Sequence, residues 1–262
     1  MRERRTLQSG TFAAPRLTRQ QLLGRRRTAL AWLLCTAGLV GYNWWILIPF
    51  KPGLMRSPNE MFSNLEVNGQ PFASMMQHAD LISGLLLLAA FVVAGTRTGL
   101  GTRREQLAML AFAAGAAAGG IFPETCADAI NATCKELELT LRLPASQYLH
   151  LAAGAVEFGG ATITLVWAAR RTRGQHSRVA AVYRTLFLAA FVGYPLLGVM
   201  FLLDRFGAVI EAAAFACISV LLVVQLLERT RERGAQLPQP VPARVRQVPA
   251  GNEDRDRGSN AA

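Results

Sequence analysis

The sequence lacks the features of a soluble protein and of a nucleic-acid-binding protein. Charged residues make up 17% of the 262 residues, whereas 52% are hydrophobic. This composition is too apolar for an ordinary soluble domain. The formal net charge is +11, but the basic residues form no face interleaved with aromatic side chains, which excludes nucleic acid as a partner. The first hydrophobic run also lacks a small-residue cleavage site after it, so we interpret it as a retained helix rather than a signal peptide.

Long apolar windows with few charges are present instead. A transmembrane helix needs about 20 mostly apolar residues. Six windows have suitable length and composition: 29–48, 80–96, 107–122, 148–169, 180–203 and 207–227. We therefore predict an all-α polytopic membrane protein, a bundle of six transmembrane helices over residues 29–227. The flanking segments 1–28 and 228–262 are predicted to be disordered tails, because they are rich in arginine and polar residues and have almost no apolar pattern.

The basic residues predict the orientation of these helices. All but five of the 28 Lys and Arg residues lie in the two tails, in the connections after the second and fourth windows, or just inside the fifth. The exceptions are Lys51, Arg56, Lys135, Arg142 and Arg205. Because basic residues concentrate on the cytoplasmic side, both termini are predicted to be cytoplasmic, in a bacterial cytoplasmic membrane. An even number of spans requires the same result.

Two features of the connecting and packing segments are predicted from residue spacing. Cys126 and Cys134 lie eight residues apart in the second outer loop, where an oxidising environment favours a disulfide. Zinc binding by this pair is the alternative, and it is weakened because no second pair lies nearby. In the third window, Gly115 and Gly119 form a small-xxx-small face that predicts close helix packing within the chain rather than dimerisation.

Polar residues in the fourth window share one face of the predicted helix. Ser146 and His150 are four residues apart, and Glu157 is seven residues further along. An ionisable group within a membrane costs about 2.5 to 3.5 kcal/mol on insertion scales, so this face is expected to point into the bundle. At 1.5 Å per residue, Glu157 lies roughly 10 Å deeper than His150. For Glu157 we expect a hydrogen bond to a neighbouring helix, for example to Tyr194 or Asn43.

At the level of His150, the predicted topology brings other polar groups to the outer ends of the helices. They are His78, Asp80, Asp204 and Glu211. We predict a site with His150, Asp80 and Ser146 in catalytic roles, and with His78, His150, Asp80 and Asp204 as ligands of a divalent metal such as zinc. Zinc with one open position would activate water. The alternative is that these side chains only make structural hydrogen bonds between helices and loops.

Three segments resemble a known bacterial family of six-span membrane proteins, called domain of unknown function 998. They are SPNEMFSNLEVNGQPFASMMQHADLISGLLL, GGIFPETC and LPASQYLHLAAGAVEF. The matching positions are Asn59, Glu60, Asn64, Leu65, Gly69, Pro71, Asp80, Gly84, Phe122, Pro123 and His150. The resemblance covers about residues 29–227 and implies a six-helix membrane fold, although the family name carries no activity.

Ser146, His150 and a separate Asp also give the chain a looser similarity to membrane hydrolases that include alkaline ceramidases and progestin-type receptors. That similarity implies a zinc ion held by three His, two of them in a His-x-x-x-His pair. This chain has no such pair, so carboxylates would have to complete the ligand set.

The sequence thus favours an outward-facing polar pocket that binds or processes a lipid or envelope component. One alternative is a non-enzymatic membrane scaffold or partner protein, in which the polar residues only fix helix packing. A transporter is less favoured, because the sequence shows neither two matching halves nor a pair of interrupted helices.

Overall fold

The computed structural model describes residues 18–51, 55, 59–95, 102–127, 131, 133–203 and 205–236. In these ranges every regular element is helical, which confirms the predicted all-α class. The helices are α1 (Arg19–Tyr42), α2 (Ala73–Ala94), α3 (Thr102–Ile121), α4 (Cys134–Leu139), α5 (Ala145–Arg171), α6 (Arg178–Leu202) and α7 (Gly207–Gln236). Two 3-10 helices, Trp44–Phe50 and Ser63–Glu66, lie between α1 and α2.

The six long helices close a ring in chain order. α1 packs on α2, α2 on α3, α3 on α5, α5 on α6, α6 on α7, and α7 returns to α1. α7 also contacts α2 and α5. The buried core between them includes Phe91, Phe112, Tyr183 and Leu222. A ring of this kind has an interior, and that interior is where the polar side chains described below lie.

Four of the described helices are long and apolar enough to cross a membrane. These are α2, α5, α6 over Arg178–Met200, and α7 over Gly207–Glu232. α1 and α3 coincide with the first and third predicted windows, but both begin with charged residues, among them Arg25 in α1 and Arg103 in α3. The chain therefore has the architecture of a polytopic helical membrane protein.

The ends of the bundle differ from the predicted boundaries. α1 begins at Arg19, within the segment predicted to be a disordered tail, because Thr18 and Gln21 form a capping box. The Gln21 N–H donates to Thr18 Oγ1 at 3.3 Å, and the Thr18 N–H donates to Gln21 Oε1 at 2.9 Å. Such reciprocal bonds satisfy two backbone donors at a helix start. At the other end, α7 continues past residue 227 to Gln236.

Glycine allows α2, α3 and α5 to approach closely. A Cβ atom on Gly115 would lie 2.5 Å from the backbone nitrogen of Glu157 on α5, and one on Gly84 would lie 2.3 Å from that of Ala117 on α3. Close packing at Gly115 within the chain is thus confirmed. For Gly119 the prediction is wrong, because nothing lies within 4 Å of its Cβ position and it lines a cavity instead.

α6 is the least embedded of the long helices. Its side chains Leu188, Phe191 and Val192 are 60%, 69% and 62% exposed. Pro195 lies inside the helix. Since proline has no N–H, the carbonyl group of Phe191, four residues earlier, lacks its usual helical donor.

Candidate functional site

Four carboxyl groups from four different elements line one small cavity, which we call the acidic chamber. Glu66 comes from the second 3-10 helix, Asp80 from α2, Glu157 from α5 and Glu211 from α7. The chamber has a volume of about 80 Å³. Five of its other lining residues are aromatic: Tyr42, Trp44, Phe62, Phe158 and Phe215.

Three of the carboxyl groups accept a hydrogen bond. Two of the donors lie at or just after the end of α1, and the third lies in the loop before α2. The Tyr42 hydroxyl donates to Glu157 Oε1 at 2.6 Å. The Trp44 indole N–H donates to Asp80 Oδ1 at 2.9 Å. The backbone N–H of Phe62 donates to Glu211 Oε2 at 2.5 Å. These bonds orient the carboxyl groups but use only part of their capacity to accept, since each carboxylate has about four acceptor positions.

Glu66 and Asp80 are hydrogen-bonded to each other through their carboxyl groups. Two carboxyl groups in such contact share a proton, because two negative charges at that separation repel strongly. Burial, and then the neighbouring Asp80, raise the pKa of Glu66 well above its ordinary value. Glu66 is 3% exposed, and no N–H or hydroxyl donor among the described residues reaches its Oε2 atom. The pair therefore holds an exchangeable proton inside the chamber.

His150 contributes the one basic side chain among the described residues that line the acidic chamber. Its Nδ1 lies 2.9 Å from the carbonyl oxygen of Phe122. A carbonyl oxygen only accepts, so Nδ1 carries a proton and donates to it. The ring also interacts electrostatically with Asp80.

A wider cavity of about 190 Å³, the vestibule, adjoins the chamber and shares part of its wall. The residues common to both are Ser63, His150, Gly154, Phe158 and Glu211. Cys126 and Cys134 line the vestibule and form a disulfide with Cα atoms 5.6 Å apart. The predicted cysteine pairing is thus confirmed, and the disulfide forms part of the wall of the vestibule.

The structure brings two of the predicted site residues, Asp80 and His150, to the acidic chamber and leaves others outside it. His78 is exposed, and its Nδ1 bonds the carbonyl oxygen of Ser74 in its own helix at 2.5 Å. It lies two residues from Asp80, which places the two side chains on nearly opposite faces of α2. Ser146 is half-buried in the first turn of α5 and lines neither cavity. Asp204 lies outside the described residues.

The predicted zinc site stays a prediction, because one of its four ligands, Asp204, lies outside the described residues. Nowhere in the described ranges are three or more His, Cys, Asp or Glu side chains arranged to bind a metal ion. The ligands proposed from the sequence have other partners, since His78 bonds Ser74 and His150 bonds Phe122. Among the described residues, the chamber presents carboxyl oxygens that can accept further hydrogen bonds.

Several residues of the chamber were not found by sequence reasoning. The partner of Glu157 is Tyr42, not Tyr194 or Asn43. Asn43 instead donates to the Ser219 hydroxyl at 3.0 Å. The available signal was the segment YNWW at the end of the first window, which places an indole and a phenol at the depth of the carboxyl groups. Glu66 gave no such signal, because it lies in the loop between α1 and α2, and its position depends on how that loop folds against the helices.

A second buried polar cluster lies toward the opposite ends of the helices, and we call it the charged network. Arg171 Nε donates to Glu105 Oε1 at 2.8 Å, and its Nη2 donates to Glu228 Oε2 at 2.9 Å. The Tyr183 hydroxyl also donates to Glu228, and Gln225 donates to Glu105 at 3.2 Å. The network links α3, α5, α6 and α7. Its residues lie at or beyond the ends of the apolar windows, where charges were interpreted only as indicators of orientation.

Arg229 extends this cluster to α2. Its Nη1 donates to the carbonyl oxygen of Gly95 at 2.9 Å and to the side-chain oxygen of Gln106. Its Nη2 donates to Gln225 Oε1 at 3.2 Å. Arg229 is 3% exposed, so the positive charge is buried among acceptors that hold it in place.

Comparison with known proteins gives a family and no activity. Neither a curated protein nor a solved structure matches the chain, and the looser similarity to alkaline ceramidases and progestin-type receptors is not confirmed. A family model described as "Protein of unknown function (DUF998)" matches residues 33–228. This range contains the acidic chamber, the vestibule and most of the charged network. The chain therefore belongs to the DUF998 family of proteins of unknown function.

Proposed function

We propose that the acidic chamber binds the primary ammonium group of a lipid or other envelope component. The observation that carries this proposal is the convergence of four carboxyl groups, from four elements, on one aromatic-lined cavity. A bound cation would reduce the repulsion among these groups. The vestibule offers the route by which such a group enters from outside the bundle.

The chemistry of the walls favours a primary ammonium group over other cations. A primary ammonium has three N–H donors and no acceptor, which complements carboxyl oxygens that are only partly occupied. The aromatic faces of Trp44, Phe62 and Phe158 add attraction for a cation, about 0.5 to 2 kcal/mol for each well-placed ring. A quaternary ammonium ion would gain the aromatic contacts but not the hydrogen bonds.

Binding would be linked to protons. The Glu66–Asp80 pair holds a shared proton, and an ammonium group that bonds both carboxylates would displace it. Proton and ligand therefore compete, so the affinity should rise with pH. This dependence distinguishes the chamber from an apolar site that accepts any small molecule.

Calorimetric titration of the full-length protein in lipid nanodiscs tests the proposal, with methylammonium and tetramethylammonium as probes. Methylammonium should bind more tightly. Asp80→Asn should weaken its binding roughly tenfold to a hundredfold, the value of one charge-assisted hydrogen bond. Glu136→Gln, in an exposed residue of α4, is the matched control and should have no effect. If Asp80→Asn changes only stability, the chamber is structural and the scaffold alternative is favoured.

We also propose that the protein crosses a bacterial cytoplasmic membrane six times, with both termini in the cytoplasm. The six long helices and the distribution of basic residues support this arrangement. Single cysteines introduced near each terminus and in the loop before α5, in a background with Cys35 and Cys217 replaced by alanine, provide the test. A membrane-impermeant maleimide applied to intact cells should label the loop cysteine and neither terminal one; labelling of one terminus would exclude an even number of spans.

A further inference from the structure

The acidic chamber and the vestibule adjoin each other at a glycine. Gly154 on α5 lines both cavities, and a Cβ atom at this position would have nothing within 4 Å. The space where the two cavities meet is therefore open on this side. The chamber has a volume of about 80 Å³ and the vestibule one of about 190 Å³. A ligand that places an ammonium group in the chamber and is larger than a simple amine must extend into the vestibule.

The chamber supplies a buried acceptor for such an ammonium group. Glu66 is 3% exposed and lines the chamber. No N–H or hydroxyl donor in the described part of the chain reaches its Oε2 atom. The N–H groups of a ligand can therefore bond this atom without displacing a donor of the protein.

The vestibule also has an excess of acidic side chains. Three carboxyl groups line it, those of Glu124, Glu138 and Glu211. Its basic lining residues, within the described ranges, are Lys135 and His150. One lysine cannot match three carboxyl groups, so a second positive group of the ligand is favoured there. An anionic group would instead be repelled by the carboxylates.

Glu138 is held in position by a buried neighbour. Glu138 is half-buried on α4, and Gln147 Nε2 donates to its Oε2 atom at 3.2 Å. Gln147 is 0% exposed, and its own oxygen accepts from the backbone N–H of Thr125 at 2.8 Å. A carboxylate has about four acceptor positions. The bond from Gln147 thus orients Glu138 and leaves it able to accept from a ligand.

Apolar groups line the vestibule beside these carboxyl groups. The ring of Phe158 lines both cavities, and Met61 and Leu151 line the vestibule. Such side chains match methylene groups, which gain free energy when they leave water. The two cavities together therefore present acidic groups in each part and an aromatic ring on their common wall.

We infer that the vestibule holds a second ammonium group of the molecule whose first ammonium group occupies the acidic chamber, an inference that rests on the proposed function. The ligand class is then a molecule with two primary ammonium groups joined by a short methylene chain. It is either a free diamine or a diamine group on a larger envelope component. The first ammonium group bonds the carboxyl groups of the chamber, the methylene chain packs on Phe158, and the second ammonium group bonds Glu138.

Two glutamates of α4 provide a matched pair of variants. Glu138 lines the vestibule, whereas Glu136, two residues away, is exposed and lines neither cavity. Glu138→Gln removes the charge and keeps an oxygen that can accept from Gln147. Glu136→Gln makes the same chemical change outside the cavities.

The experiment is a calorimetric titration of the full-length protein in phosphatidylcholine nanodiscs, whose lipid has no primary amine. Putrescine should bind about tenfold to a hundredfold more tightly than butylammonium, which has the same methylene chain and one ammonium group. Glu138→Gln should remove most of this difference, and Glu136→Gln should preserve it. Lysine methyl ester carries two ammonium groups and an ester in place of the rest of an envelope component. Tighter binding of this ester than of putrescine would assign the diamine to an envelope component, and weaker binding would assign it to a free diamine.

The outcomes separate this inference from the proposed function. If putrescine and butylammonium bind equally tightly, or if phosphoethanolamine binds more tightly than putrescine, the second ammonium group is wrongly assigned even when methylammonium still binds. The same conclusion follows if Glu138→Gln leaves the preference for putrescine unchanged. If Glu138→Gln weakens methylammonium as much as putrescine, the variant perturbs the chamber and the assignment is rejected. If Asp80→Asn affects none of these amines, the acidic chamber is not the ammonium site and the proposed function fails.

Discussion

The acidic chamber and the charged network lie toward opposite ends of the same helices. They differ in whether their buried charges are paired with opposite charges. In the charged network, the guanidinium group of Arg171 lies between Glu105 and Glu228. Opposite charges are matched there, and the side chains fill the space between the helices. In the chamber, four carboxyl groups face a single imidazole, and a cavity remains between them.

The two clusters differ in whether their buried charges are matched within the chain. A buried charge is costly unless it is paired and hydrogen-bonded, and the charged network meets both conditions within the chain. The acidic chamber meets them only in part, through a shared proton and three donors. A site that keeps unused acceptors around a cavity is complementary to a positively charged group from outside the chain.

The largest effect is expected from breaking the charged network. Arg171→Ala should lower the free energy of unfolding by about 3 to 5 kcal/mol, because it leaves Glu105 and Glu228 without their cation in a buried site. Thermal unfolding of the purified protein measures this. Arg170→Ala is the control, since Arg170 is exposed and contacts the Trp167 ring. Equal losses in the two variants would contradict a structural role for the network.

The second prediction compares the stability change at a packed glycine with the change at a glycine that lines the chamber. Gly115→Ala should destabilise the protein by about 1 to 3 kcal/mol, because the new methyl group meets the backbone of α5. Gly119→Ala should be neutral or stabilising by up to about 1 kcal/mol, since alanine favours a helix and has space there. Both are measured as shifts in thermal unfolding, and a loss at Gly119 as large as that at Gly115 would show that the cavity is not open at this position.

The pH dependence of stability should distinguish the chamber from the charged network. Well below pH 4.5, the ordinary pKa of glutamate, Glu66 keeps its proton in both the folded and the unfolded state. Above it, the unfolded form ionises first, so the wild type should lose about 1.4 kcal/mol per pH unit until the folded group also ionises. Glu66→Gln removes the contribution of this group, so its stability should fall less steeply than that of the wild type between pH 4 and pH 8. Parallel curves for the two proteins would contradict the raised pKa.

The smallest effect concerns one hydrogen bond in the chamber. Tyr42→Phe should cost about 1 kcal/mol of stability, because the Glu157 bond is lost while the ring keeps its contacts with Phe112 and Phe215. It should also tighten methylammonium binding, since an oxygen of Glu157 becomes available. Tyr148→Phe removes a hydroxyl that accepts from the Leu143 N–H and lines neither cavity, so it should not change this affinity. Weaker binding in Tyr42→Phe would mean that the phenol itself contacts the ligand.

The fold could be predicted from the sequence to the extent that it depends on local pattern. Each of the six apolar windows coincides with a long helix, because hydropathy and run length are properties of a continuous segment. The boundary at residue 28 was wrong, since the capping box of Thr18 and Gln21 extends the first helix without any gain in hydropathy. The disulfide was predictable because its two cysteines are close in sequence.

The site was only partly predictable. The depths of Asp80 and His150 follow from helix register, and both line the chamber. His78 was misplaced because equal depth was taken as proximity, although a two-residue offset on a helix reverses the direction of the side chain. Glu66 is brought to the chamber by the folding of a long loop, and Tyr42 contacts Glu157 across the bundle. Such contacts depend on how distant segments pack, which no local pattern encodes.

Pro195 bears on how easily α6 bends. α2, α3 and α5 are in close backbone contact at their glycines. In α6, by contrast, one backbone hydrogen bond is missing at Pro195. A helix with a missing bond bends more easily than a continuous one. We therefore expect α6 to bend more readily than α2, α3 and α5, which are held together at their glycine contacts.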